Sequence, residues 1–310
     1  MRQGGHHQRR AHRGRGPARE LNARAGARGR LHRGHLARHR RRRTRGRRHG
    51  DVSVRNVLTI GGRELRSYFS SPVAYVLLAA YLALAGYFFF ALLSAFNQTL
   101  QMYSMMRNPE MLSRFNLNQM VVVPLLHNMS VLLIFIVPAI SMRMFPEEKR
   151  SGTYELLLTS PVRVGEIVLG KFLGGLVLVL LMVALSGLFG ILLVSYGNPE
   201  VPMMLSGYLG LALMATVFLA VGTLISSFTD NVVIAYVGTL FALLVLYTIG
   251  WLGETTQGAA GRIVRYASIT EHFSELAKGV IDTKDLVYFA TLLLIGLFLT
   301  LRSVESVRWR

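Results

Sequence analysis

The chain has 310 residues, 52% of them hydrophobic, and carries a formal net charge of +19 at neutral pH. This hydrophobic fraction is high for a soluble protein and ordinary for a membrane protein. There is no cysteine, which excludes disulfide bonds, cysteine-ligated zinc and thiol catalysis. The composition therefore predicts a membrane protein without covalent cross-links.

The positive charge is concentrated at the N-terminus. Residues 1–50 contain 18 Arg and one acidic residue, Glu20, so they supply +17 of the net charge. They have no aromatic residue and no apolar period, and such a segment cannot bury enough surface to offset the entropy of ordering. We therefore interpret residues 1–53 as a disordered head.

Two interpretations of this head are open. An Arg-rich tail can bind nucleic acid or acidic lipid, which would make the chain a nucleic-acid-binding membrane protein. Alternatively, Val52 or Val54 is the natural first residue, because valine codons can start bacterial proteins and the coherent sequence begins near Val54. The second interpretation is favoured, so we assign the head no function and expect no nucleic-acid partner.

A short amphipathic helix is predicted between the head and the first apolar segment. Apolar residues recur there at near-helical spacing, and charged residues occupy other positions. These are Leu58, Leu65, Tyr68 and Phe69 on the apolar side, with Arg63, Glu64 and Arg66 elsewhere. Gly61-Gly62 weakens the helical propensity. The pattern predicts a helix over residues 54–71 that lies in the membrane interface.

Six segments are long and apolar enough to cross about 30 Å of hydrocarbon. They are Val73–Leu93, Val121–Ile140, Phe172–Val194, Leu205–Ile225, Val232–Trp251 and Leu286–Leu301. The sequence therefore predicts an all-α polytopic membrane protein, with a six-span domain over residues 72–301 and a tail at residues 302–310.

The orientation follows from the Lys and Arg residues in the connections. Beyond residue 50, eleven of them, including Lys171, lie on the side of the N-terminus and six on the opposite side. Positive residues favour the cytoplasmic side of a membrane. This bias predicts a membrane protein with both termini in the cytoplasm.

A charged connection separates the second and third predicted spans. It reads Phe-Pro-Glu-Glu-Lys-Arg-Ser-Gly-Thr-Tyr-Glu-Leu-Leu-Leu-Thr-Ser-Pro from Phe145 to Pro161. Ser151-Gly152-Thr153 predicts a turn that caps a short helix at Tyr154–Leu158. Because charges enter hydrocarbon only at high cost, the connection is expected at the inner membrane face. From the residues alone, the charges either receive a soluble partner or only keep the loop in water.

The run from Met144 to Val162 resembles the signature of ABC-2 type transporter permeases. It is most similar to the branch that includes the gliding-motility and copper-processing permeases. The later stretch Glu166–Lys171, the predicted amphipathic helix and the six spans fit the same pattern. The resemblance covers residues 54–310 and excludes the head.

The resemblance implies that this connection is a coupling helix, which contacts a separate cytoplasmic ABC ATPase subunit. The positions that match the motif, and to which this role is carried over, are Glu147, Glu148, Arg150, Gly152, Thr153 and Glu155. The connection Ser226–Asn231 is a lesser expected contact. By the same resemblance, part of residues 253–285 folds as short helices that re-enter the outer leaflet.

The resemblance also implies the partners and the activity. The lipid bilayer surrounds the spans, and a second permease copy or a related membrane subunit completes the transporter. ATP and magnesium are bound by the partner ATPase, so no cofactor is expected on this chain. The protein would then be a permease, in this family most commonly of an exporter, and not an enzyme.

The stretch Gly165–Lys171 nearly spells a phosphate-binding loop. Phe172 stands where Ser or Thr must bind magnesium, and no strand is predicted before the stretch. A nucleotide site is therefore not predicted. Gly170 and Gly174 are instead expected to permit close packing of helices.

The signals for a metal site are also weak. His127 and His272 have no partner at metal-ligand spacing. Five methionines crowd the first outer loop, namely Met102, Met105, Met106, Met111 and Met120. Thioethers suit Cu(I), but methionines on an amphipathic segment more commonly serve as adaptable packing. No metal site is predicted.

A scaffold function is the alternative to transport. In a gliding-motility or copper-processing assembly, such a subunit would anchor extracytoplasmic partners without moving a solute. The sequence does not separate this alternative from a permease.

Overall fold

The computed structural model describes residues 53–105, 116–152, 162–197, 199–255 and 258–307. Within these ranges the chain forms ten α-helices and no strand. The helices are α1 Val54–Ser70, α2 Pro72–Met105, α3 Val123–Ser141, α4 Pro146–Arg150, α5 Val164–Tyr196, α6 Val201–Phe228, α7 Val232–Thr255, α8 Gly258–Tyr266, α9 Ile269–Ala277 and α10 Thr283–Val307. A π-helical turn at Asn118–Val122 leads into α3. The head up to residue 52 lies outside the described residues, so its predicted disorder stays a prediction.

The predicted all-α polytopic fold is confirmed, because six helices are long and apolar enough to cross a membrane. They are α2, α3 with its flanking turns, α5, α6, α7 and α10. The largest extension beyond a predicted span is in α2, which continues past Leu93 to Met105. Neither Gly nor Pro interrupts residues 94–105, so the helix runs on after its apolar stretch ends. Its 34 residues measure about 51 Å, which exceeds the thickness of the hydrocarbon.

The start of α5 corrects one prediction. The helix begins at Val164, well before the predicted span start at Phe172. The Glu166 side chain accepts a hydrogen bond of 3.4 Å from the backbone N–H of Arg163 and so caps this end. As a result, Lys171, which was expected in the inner connection, lies inside a helix and is buried.

Helix α6 lies at the centre of the bundle and packs against α3, α5, α7, α9 and α10. Small residues on α6 let neighbouring helices approach closely; an added Cβ at Gly210 would lie 2.8 Å from the Cβ of Leu276 in α9. By contrast, α2, α7 and α10 expose most of their apolar surface.

The amphipathic helix α1 packs against α5 through glycines on both helices. An added Cβ at Gly170 would lie 2.7 Å from the Cβ of Ile60, and one at Gly174 would lie 2.6 Å from the Cβ of Glu64. Gly61 faces the same contact, with 3.1 Å from its added Cβ to the carbonyl oxygen of Gly170. Gly170 and Gly174 therefore permit close packing of α5 against α1, as predicted. Gly61 has the same role on the side of α1. The position of α1 in a membrane interface stays a prediction.

Polar contacts between helices distinguish the two ends of the bundle. At the end that we call the α4 end, Lys149 Nζ lies 3.1 Å from Oδ1 of Asp230, between α6 and α7. At the opposite end, which we call the α9 end, the Asn118 amide exchanges two hydrogen bonds of 3.1 Å with the backbone of Glu200. The predicted inner connections thus meet at the α4 end, and its exposure to the cytoplasm stays a prediction.

Two short helices, α8 and α9, occupy the region 253–285 at the α9 end. Helix α9 packs against α6, α7 and α10. The expected short helices are therefore present, while their re-entry into the outer leaflet stays a prediction.

The α1–α5 contact can be tested by adding one methyl group. We expect Gly174→Ala to lower the free energy of unfolding by about 1–3 kcal/mol, because the new Cβ overlaps the Glu64 side chain near its backbone. Thermal melting of the purified protein in mild detergent measures the loss. Gly187→Ala, in the same helix with nothing within 4 Å of the added Cβ, is the control and should be neutral or slightly stabilising. Equal melting temperatures of the Gly174→Ala and Gly187→Ala variants would contradict this packing.

Candidate functional site

The charged connection begins with the short helix α4. Pro146 occupies the first turn, where no hydrogen bond from its nitrogen is needed. Glu147 and Glu148 lie in the first turn and Lys149 and Arg150 in the last, which places each charge favourably in the field of the helix. The sequence Pro-Glu-Glu-Lys-Arg thus forms a short helix, which ends four residues before the start of the helix predicted at 154–158. That predicted helix lies outside the described residues.

Gly152 ends the described part of the connection in a conformation that favours glycine. Its φ is 72°, in the left-handed region. Its N–H donates to the carbonyl of Lys149 at 3.4 Å, and the N–H of Ser151 donates to that of Glu147 at 3.0 Å. This arrangement is typical of a glycine after the end of a helix, so Gly152 has a structural reason to be there whatever else it does.

A buried lysine holds α4 against two other helices. Lys171 of α5 is 2% exposed, and its Nζ pairs with the carboxylates of Glu64 in α1 and Glu148 in α4. The distance from Lys171 Nζ to Glu148 Oε1 is 2.8 Å. We call Glu64, Glu148 and Lys171 the lysine cluster. Arg63 adds a longer contact, with 3.5 Å between its Nη2 and Glu148 Oε1.

The next residue of α4 reaches the other side of the bundle. Lys149 Nζ donates a hydrogen bond of 2.8 Å to the carbonyl of Ser227, at the C-terminal end of α6, and pairs with Asp230. The hydroxyl of Ser227 donates to that of Ser303 in α10 at 2.9 Å. Successive residues of α4 therefore bind opposite groups of helices, with Glu148 toward α1 and α5 and Lys149 toward α6.

Two further contacts fasten α1. The carboxylate of Glu166 accepts hydrogen bonds from the backbone N–H of Ser53 at 2.7 Å and from the amide of Asn56 at 2.9 Å. At the other end of α1, the hydroxyl of Tyr68 donates to the carbonyl of Ile140 at 3.1 Å. Burial raises the pKa of Tyr68, so the phenol keeps its proton and stays a donor. Helix α1 is thus tied to both α3 and α5.

The structure separates the six predicted coupling residues into three groups. Glu147, Arg150 and Gly152 are exposed on the surface of the α4 end, where Glu147 pairs with Arg143 at 3.4 Å. Glu148 is directed inward and belongs to the lysine cluster. The remaining two, Thr153 and Glu155, lie outside the described residues, so their roles stay predictions.

Sequence reasoning missed the partners of Glu148. Lys171 was placed among inner-loop cations because the apolar run begins at Phe172. Glu64 was assigned only to the polar side of an amphipathic helix. The available signal was a lone lysine after Gly170 in a segment that is otherwise apolar, because such a lysine needs a buried carboxylate. The connection Ser226–Asn231 meets α4 through Asp230, while its expected contact with the ATPase stays a prediction.

The comparisons with known proteins agree with this architecture. A family model described as ABC-2 family transporter protein matches residues 63–304, from within α1 to near the end of α10. No curated protein matches the chain. The family match does not reach the gliding-motility and copper-processing branch, which stays a prediction.

The lysine cluster predicts a specific pattern of stability. We expect Lys171→Met to lower the free energy of unfolding by about 3 kcal/mol, because two carboxylates then face each other without their cation. Replacing both Glu64 and Glu148 by Gln in the Lys171→Met variant should restore most of the lost free energy of unfolding. The control Lys284→Met removes an exposed lysine from its ion pair with Glu275 and should leave melting in detergent unchanged. The prediction would be contradicted if Lys171→Met were as stable as the parent protein, or if the triple variant were no more stable than Lys171→Met.

Proposed function

The chain belongs to the ABC-2 family of transporter proteins, and from this premise we propose that it is the permease subunit of an exporter driven by a separate cytoplasmic ATPase. Membership in the family makes it a membrane component of an ABC transporter. The observation that carries the finer proposal is the position of α4. This short helix is exposed on one side and joined on the other to α1, to α5 and to the end of α6.

The exposed side of α4 supports a contact with a soluble protein. Glu147 and Arg150 present opposite charges one turn apart, and Gly152 leaves the adjoining backbone uncovered. Complementary charges orient a partner and set the rate of association more than they set affinity. We assign the ATPase contact to these three residues, and Thr153 and Glu155 are included in it as the continuation of the motif.

The buried side of α4 supports the transmission of movement. Glu148 joins it to α1 and α5, and Lys149 joins it to the end of α6. A displacement of α4 by the ATPase would therefore act at the same time on α1 and α5 and on the end of α6. Coupling of this kind needs contacts that hold in more than one arrangement, and Glu148, which has both Lys171 and Arg63 within reach of its Oε1, can change partners during such a movement.

The remaining parts of the transporter follow from the proposal. ATP and magnesium are held by the partner ATPase, and this chain contributes no bond chemistry. A second copy of the chain or a related membrane subunit completes the pathway, and lipid covers the remaining apolar surfaces of α2, α7 and α10. The α4 end faces the cytoplasm of a bacterial cell, and the α9 end faces outward.

The partner can be identified by purifying the protein through a C-terminal tag in mild detergent and analysing the co-purifying proteins by mass spectrometry. We expect a soluble nucleotide-binding protein in stoichiometric amount. The double variant Glu147→Lys/Arg150→Glu should lose it while staying in the membrane, because only exposed charges are reversed. Glu148 is left intact, since its reversal would also break the lysine cluster.

The control for this experiment reverses another exposed pair at the α4 end. Arg302 and Glu305 of α10 form an ion pair of 3.2 Å, so Arg302→Glu/Glu305→Arg changes the same charges at a different place. This variant should retain the ATPase. Recovery of extracytoplasmic proteins alone would favour the scaffold function. Equal recovery of the ATPase by both variants would remove the coupling role from α4.

A further inference from the structure

The α9 end contains a buried pair of ionisable side chains that the proposed function does not use. His272 of α9 is 4% exposed, and Asp285 of α10 is 0% exposed. The distance from His272 Nδ1 to Asp285 Oδ1 is 2.6 Å. The two residues close the short connection between α9 and α10, so their contact fastens one helix to the start of the other.

The contacts of the two ring nitrogens of His272 show how many protons the pair holds. His272 Nε2 lies 2.9 Å from the carbonyl oxygen of Tyr266, which can only accept a hydrogen bond, so Nε2 carries a proton. The 2.6 Å contact at Nδ1 also needs a proton between its two atoms, because otherwise a lone pair would face a carboxylate oxygen. With this proton the pair is neutral overall, whether the proton lies on the imidazole or on the carboxyl group.

The surroundings favour the neutral pair. The second carboxylate oxygen of Asp285, Oδ2, is buried without a hydrogen-bond partner in the described part of the chain. The ring of Tyr288 stacks on the imidazole with centroids 3.9 Å apart, and the ring of Tyr266 packs edge-on at 5.3 Å. Removal of the shared proton would leave a net negative charge in this aromatic setting, which is unfavourable.

The neighbouring helices bring ionisable groups that are engaged elsewhere. Glu275 of α9 pairs with Lys284 of α10, which also pairs with Asp282. From α3, His127 bonds to the hydroxyl of Ser274 at 3.1 Å. From α7, the hydroxyl of Tyr247 lies 3.5 Å from that of Ser130 in α3. From α6, the hydroxyl of Tyr208 donates to the carbonyl of Ser186. Arg265, Glu271 and Lys278 are exposed.

We propose that His272 and Asp285 form a proton-binding site that holds α9 onto the start of α10 while the proton is bound. Loss of the proton leaves the imidazole with one N–H for two acceptors, so that either the contact with Asp285 or the contact with the Tyr266 carbonyl loses its hydrogen bond and α9 is loosened. The attachment is therefore complete while the proton is bound and weakens when a rise in pH removes it. This proposal does not depend on the ATPase partner.

The movement of α9 can be followed in this cysteine-free chain with single introduced cysteines. Ala277 of α9 is 0% exposed and packs against Gly207 of α6, so Ala277→Cys reacts with a maleimide only when α9 lifts. Val280, 55% exposed just after α9, gives a reference cysteine, Val280→Cys, that corrects for the reactivity of the thiol itself. The measurement is the ratio of the two labelling rates in detergent between about pH 5 and 10, a range that includes the ordinary titration of histidine.

We expect the ratio to rise with pH by up to about tenfold per pH unit, the slope of a one-proton transition. His272→Gln should abolish this rise, and His127→Gln, which changes the other histidine near α9, should leave it intact. A ratio that is constant over the whole range, or that rises equally in the His272→Gln variant, overturns the proposal. If Ala277→Cys does not fold, amide hydrogen exchange of residues 269–277, relative to unstructured-peptide rates, tests the same prediction in the unmodified chain and in the two histidine variants.

Discussion

The arrangement of the α4 end depends on one buried ammonium group. Lys171 is inside α5, and a lysine can be buried there only with anionic partners close to it. Both partners come from other elements, Glu64 from α1 and Glu148 from α4. The cation therefore determines where α1 and α4 must lie relative to α5. The glycine contacts between α1 and α5 make this possible, because only small residues allow the Glu64 carboxylate to come within reach.

The two ends of the bundle are held together by different chemistry. Ion pairs dominate among the described contacts at the α4 end, where Lys149 and Lys171 each serve more than one acceptor. At the α9 end, an amide–backbone exchange at Asn118 and the pair of His272 with Asp285 perform the same task. Between the ends, α6 packs through small residues.

The sequence predicts the spans better than it predicts the site. Length and apolar character identify six crossing helices, since that requirement comes from the bilayer. The start of α5 was misplaced because Lys171 stands directly before the apolar run that begins at Phe172, and only its distant carboxylates make its burial acceptable. Similarly, Glu147 and Glu148 are equivalent in a pattern of charges. Their different directions depend on where α1 and α5 lie, which no local periodicity contains.

The order of the lysine cluster along the chain has a consequence for biosynthesis. Glu64 and Glu148 are both translated before Lys171. When α5 leaves the ribosome, the two carboxylates that pair with its lysine have already been synthesised. A nascent chain that stops before residue 171 carries two hydrated carboxylates, which are harmless. In the reverse order, the lysine of α5 would be made before either of the carboxylates that pair with it, and its burial would have to wait for them.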